Sequence, residues 1–172
     1  MHGSSNPIGG RNETLKLKWG RPWEELVFEG APQTLKFALG ENVRRSRYPE
    51  PTRYPRSRSG VAEVYREMFT RAQDYVRAWE AYQASGEGIP PKRDLQLEVL
   101  AKVLTGEIIV ICHSYRADEI AMLMEVFNEF DIPAGTFTHI LDGYKVAPEM
   151  ARNGWGASAF ADFWCRRRRA PT

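Results

Sequence analysis

The stretch EIIVICHSYRADEI, residues 107–120, read together with AGTFTHILDGYKV, residues 134–146, decides the fold. In each, a short run of β-branched and aromatic residues gives way to a polar loop and then to a helical pattern. Ile108 to Cys112 is almost continuously apolar, as expected of a parallel strand buried on both faces. Between the two runs Ile120, Leu123, Met124 and Phe127 repeat at helical spacing over 117–130. Strand, crossover helix and strand therefore follow one another, and the two strand regions carry His113 and His139 near their ends. Parallel α/β folds place their chemistry there, so both imidazoles are expected on one rim of a parallel sheet.

The same alternation extends outward. Downstream, a short helix is expected over 145–153 and a strand over 155–160. Upstream, Leu97, Leu100, Val103 and Leu104 mark a helix over 94–104. A longer helix opens at Ser59-Gly60 with Val61, Val64, Tyr65, Met68, Phe69, Ala72, Tyr75, Val76, Trp79 and Tyr82 on one stripe. It closes at Ser85-Gly86, and Pro90-Pro91 blocks its continuation. The Arg/Pro/Tyr-rich segment 44–60 reads as a surface loop, and Thr34 to Leu39 as a strand. Thr14 to Trp19 alternates like a strand with one wet face, Trp23 to Phe28 is a short connecting element, and HGSSNPIGGRN (2–12) reads as a loop. Strands alternating with helices predict an α/β fold with a parallel sheet.

Composition bounds the function. The 172 residues are 42% hydrophobic and 12% aromatic, enough for one sizeable core. With 24 basic against 22 acidic residues and a net charge of +2, nothing points to a nucleic-acid partner. Cys112 and Cys165 suit neither a disulfide scaffold nor a zinc ribbon. No apolar run approaches the roughly 18 residues of a membrane span, and Met1-His2-Gly3 does not open a signal peptide.

Few side chains could do chemistry. His113 and His139 are each either a hydrogen-bonded strand-end residue or a metal ligand; as a pair they suit zinc or a similar divalent ion. Lys36, between Leu35 and Phe37, is either a lysine snorkelling from an edge strand or one held at a site. Arg116 could grip a substrate carboxylate or pair with Asp118 or Glu119. Tyr115 and Tyr144 are rim candidates. Gly9-Gly10 lacks any phosphate-binding pattern around it and reads as a loop near the rim.

Taken in order, GSSNPIGGRN, TLKFALGENV, CHSYRADEI and THILDGYKVAPEMARNGWGASAFADFW resemble consecutive blocks of the amidohydrolase superfamily, in its imidazolonepropionase-related branch. The resemblance spans about residues 2–164 and implies a partial (β/α)8 TIM-barrel-like fold, roughly barrel strands three to seven, with a helical insertion at about 60–104. It implies a metal-dependent hydrolase acting on C–N bonds of cyclic amides, amidines or peptide-like small molecules, with one or two divalent ions, zinc foremost. By the same resemblance Lys36 matches a carboxylated lysine on the fourth strand, His113 the fifth-strand histidine and His139 the sixth-strand histidine, with Arg116 and Tyr115 bordering substrate.

The chain departs from that family where an HxH pair and a final aspartate are expected. His2 is the one other histidine, and Asp162 belongs to the seventh-strand block, where a capping or loop role fits it. No proton-shuttling catalytic residue is therefore assigned, and weak metal binding with little turnover is expected of this chain. Residues 165–172, with Arg166 to Arg169, read as a basic tail outside the fold. The rival expectation is a non-catalytic α/β module that self-associates through open sheet edges.

Overall fold

The computed structural model describes residues 5–44 and 54–159. Asp162, Cys165, the basic tail, most of the 44–60 loop and the end of the last expected strand lie outside them.

The described residues form a five-stranded sheet in the order β1 (Ile8–Asn12), β2 (Thr34–Ala38), β3 (Ile109–His113), β4 (Thr136–Thr138) and β5 (Gly156–Ala157). The pairings β2–β3, β3–β4 and β4–β5 are parallel. Parallel neighbours need long crossovers. Helices α3 (Arg58–Ser85) and α4 (Leu95–Leu104) form the connection from β2 to β3, and α5 (Ala117–Glu129) that from β3 to β4. A 3-10 turn (Gly143–Lys145) and α6 (Ala147–Arg152) lead to β5, while α1 (Trp23–Leu26) and α2 (Glu41–Arg44) are single turns.

Local chemistry explains the helix ends. The Ser57 hydroxyl accepts from Gly60 N at 3.0 Å, and the Asp94 carboxylate accepts from the Gln96 and Leu97 N–H groups, each satisfying first-turn donors. Gly86, at φ 65°, closes α3 in the left-handed conformation, with its N–H on the Tyr82 carbonyl.

The core lies on one face of the sheet. Phe37 stacks on Tyr65 at 5.0 Å and meets Phe69 and Phe127, while Phe137 stacks on Trp155 at 4.3 Å. These rings tie β2 and β4 to α3, α5 and the approach to β5. The Tyr65 hydroxyl, fully buried, lies 2.7 Å from the Ala38 carbonyl oxygen and 3.0 Å from that of Pro7.

Three expectations change. The 2–12 loop contains β1, which runs antiparallel to β2 with an irregularity between Ile8 and Arg11. Glycine permits this pairing: a Cβ on Gly9 would stand 3.1 Å from the Lys36 carbonyl oxygen. The alternating run Thr14 to Trp19 does not join the sheet, and its one ladder contact is an isolated bridge from Leu15 to Val27. Alternation alone cannot hold a strand when nothing covers its apolar side. Finally, β3 is covered on one face: Val110 and Cys112 are buried under helices, whereas Ile109 is 38% exposed and Ile111 half-buried.

Candidate active site

Strand periodicity divides the side chains of β2, β3 and β4 between the two faces. Leu35 and Phe37, Val110 and Cys112, and Phe137 turn to the helices. Lys36, Ile111, His113, Thr136 and Thr138 share the other face, with Lys36 opposite Ile111 and His113 opposite Thr138 in register. Lys36 does not stand on an edge strand, because β2 lies between β1 and β3.

His113 ends β3, and His139 follows β4 by one residue. The parallel register brings them to the same rim, His113 Nδ1 lying 2.8 Å from His139 Nε2. His139 turns onto that rim through a left-handed backbone, φ 44°, uncommon for a side chain of its size and of the kind found where tertiary structure holds a functional residue. The Tyr115 ring packs on both imidazoles, with centroids 4.7 Å from His113 and 5.3 Å from His139.

Electrostatics keep this cluster short of protons. Burial, then the neighbouring His139 and Lys36, pushes the His113 pKa down to about 3. His139 is lowered by burial and by the Lys36 charge. Burial also lowers Lys36, the more weakly opposed by Cys112. Neutral imidazoles carry a lone pair, the form that ligates a metal. The Lys36 ammonium reaches the Thr138 hydroxyl at 3.5 Å, and that hydroxyl donates to the Cys112 carbonyl at 3.2 Å, leaving its lone pairs toward the lysine.

A divalent ion fits these donors in kind. Two imidazole nitrogens on one tetrahedral zinc stand about 3.3 Å apart, given Zn–N bonds of about 2.05 Å, so the pair would need to open by roughly half an ångström. His113 Nε2 is buried without a hydrogen-bond partner among the described residues, an orphan that such sites leave for a further group. No three His, Cys, Asp or Glu side chains converge among the described residues. Lys36 is the further side chain beside the pair on this face, and its amine is a poor ligand until carboxylated.

The Arg116 guanidinium makes a fork to Asp118, Nε to Oδ1 at 2.9 Å and Nη2 to Oδ2 at 3.0 Å. Tyr144 is 74% exposed beyond the cluster. Two contributors escaped sequence reading. Thr138 was legible in principle from its period-two spacing with Thr136. Glu119 was not: it is buried on α5, its pKa raised by burial, and its Oε1 accepts from Arg58 Nε at 2.9 Å. Arg58 begins α3, so this pair joins two helices below the rim.

No family model matches the chain. It is 30% identical over 173 residues to Amidohydrolase tasK of Hapsidospora irregularis, an alignment covering 91% of this chain and 17% of that protein. The crystal structure of an amidohydrolase from Thermotoga maritima MSB8 superposes with a TM-score of 0.85 at 30% identity, covering 96% of this chain and 42% of that one. The chain thus spans less than half the length of either relative. Among the described residues no helix is long and apolar enough to cross a membrane. The mostly parallel α/β sheet with its paired histidines is thus similar, over nearly the whole of this chain, to segments of two proteins named amidohydrolase.

Proposed function

We propose that this chain carries part of the metal-binding rim of a metal-dependent amidohydrolase of the imidazolonepropionase-related branch, acting on C–N bonds of small amide or peptide-like substrates. The observation that carries this reading is the 2.8 Å approach of His113 Nδ1 to His139 Nε2 on one rim of a parallel sheet. Lys36, His113 and His139 are the ligands, and zinc suits two neutral imidazoles best. A divalent ion held there supplies Lewis acidity, lowering the pKa of water to about 7 and polarising an amide carbonyl.

The chain's own residues prepare that site. Burial keeps the imidazoles neutral and ready to donate lone pairs. A lowered lysine pKa raises the fraction of free amine, the form that takes up carbon dioxide with release of a proton to become an anionic carbamate. Thr138 holds that amine against the rim. Tyr115 covers both rings and borders substrate, and Arg116 frames the entrance from its pairing with Asp118.

Metal analysis by mass spectrometry tests the reading. After incubation with zinc and bicarbonate, the chain should retain close to one equivalent of metal, and the His113→Ala/His139→Ala variant should retain little. Equal metal in both, with the fold intact by circular dichroism, would reject the site and favour a non-catalytic module that associates through the β1 and β5 edges.

A further inference from the structure

Thr136 and Thr138 stand on the same open face of β4, one pleat apart, and the Lys36 amine reaches the upper one. By register Lys36 is level with Ile111 and so with Thr136, whereas Thr138 is level with His113 and next in sequence to His139. Neighbouring strands lie about 4.8 Å apart. The Lys36 stem therefore passes over Ile111 of β3 and rises toward the histidine rim, bringing its amine 3.5 Å from the Thr138 hydroxyl. Among the described residues no carboxylate pairs with that amine.

The hydroxyl is loosely engaged. It donates to the Cys112 carbonyl at 3.2 Å and stands 3.5 Å from the ammonium, both long beside the roughly 2.8–3.0 Å of a well-made hydrogen bond. An ammonium has only protons to give, so the O–H of Thr138 finds no acceptor on the unmodified side chain.

Carboxylation reverses that mismatch. The neutral Lys36 amine attacks the carbon of dissolved carbon dioxide; a C–N bond forms, one C=O electron pair moves onto oxygen, and an amine proton leaves to water. The product carries an anionic carboxyl group just beyond the nitrogen, where the Thr138 O–H can swing from the Cys112 carbonyl and donate to it. A hydrogen bond to an ionised oxygen is shorter than a neutral one and about twice as strong. Thr136 offers the same hydroxyl on the same face, but level with the root of the lysine rather than with its end.

We propose that Thr138 is the positioning residue for carboxylated Lys36, its hydroxyl turning from the Cys112 carbonyl to the new carboxylate and holding it at the level of His113 and His139. This role rests on the proposed reading of Lys36 as a carboxylated ligand and goes beyond it by naming the group that stabilises the modification.

Carbon-13 NMR of the whole 172-residue chain, with labelled bicarbonate in the presence of zinc, tests it. Wild type should show a carbamate resonance that Lys36→Met lacks, and its growth with bicarbonate concentration gives a half-saturation point. Thr138→Val should raise that point about tenfold or more, as loss of a hydrogen bond to a charged group predicts. Thr138→Ser restores the hydroxyl and should bring the point back to within about twofold of wild type. Thr136→Val should leave it unchanged. Thr138→Ala takes the place of Thr138→Val if circular dichroism shows the latter unfolded. A hydroxyl that only ties β4 to β3 would shift the urea midpoint and leave half-saturation where it was. A wild type without a Lys36-dependent resonance would overturn the carboxylated-ligand reading and this role with it. A wild-type resonance whose half-saturation is unmoved by Thr138→Val, not restored by Thr138→Ser, or weakened equally by Thr136→Val would overturn the role of Thr138 alone.

Discussion

The two faces of β2 differ by one residue step and by opposite chemistry. Leu35 and Phe37 vanish under α3 and α5, whereas Lys36 between them stands on the bare face with its amine on Thr138. One face supplies the hydrophobic free energy, and the other tolerates a desolvated lysine and two uncharged histidines that burial does not favour. The helix-covered face sustains the cost of the open one.

The largest effect should come from breaking the covered face. Phe37→Ala removes a ring that touches Tyr65, Phe69 and Phe127, and should cost about 3–5 kcal/mol, read from the urea midpoint.

Acid should act on the open face. His113 has its pKa pushed down to about 3, below the roughly 6.5 of an unfolded histidine. Between those values the unfolded chain binds the proton and the folded chain does not, so stability rises with pH in that window. Acidification should begin to destabilise near pH 6.5 and continue toward 3, at up to about 1.4 kcal/mol per unit for a single fully shifted group. Thermal melts at stepped pH should show this dependence weakened in His113→Phe. Equal slopes would mean that the cluster does not titrate as described.

The Arg58–Glu119 pair sharpens the contrast, because it is a charge beneath the rim that belongs to the scaffold. Arg58→Ala leaves a buried carboxylate without its partner and should cost roughly 2–3 kcal/mol. Arg58→Ala combined with Glu119→Gln should recover most of that loss in the same denaturant titration. Smallest of all should be Lys36→Met. It removes a desolvated amine from a central strand while keeping the length of the stem, and the urea midpoint should move by no more than about 1 kcal/mol in either direction.

The period of the sequence was enough for the strand–helix–strand alternation, the long helix closed by Gly86, and the placement of His113 and His139 at strand ends, because these depend on local spacing and capping. The candidate cluster was half legible for the same reason: its residues could be named, but their meeting could not. What needed three dimensions was long-range pairing. The glycine-rich 8–12 segment became a strand because β2 offered it a backbone edge, while the better-patterned run from Thr14 to Trp19 stayed out in solvent because no surface reached it. The 2.8 Å histidine pair and the buried Glu119 likewise follow from parallel register and helix packing. Spacing along a chain specifies which face a side chain joins, but only the packing of distant segments specifies what that face meets.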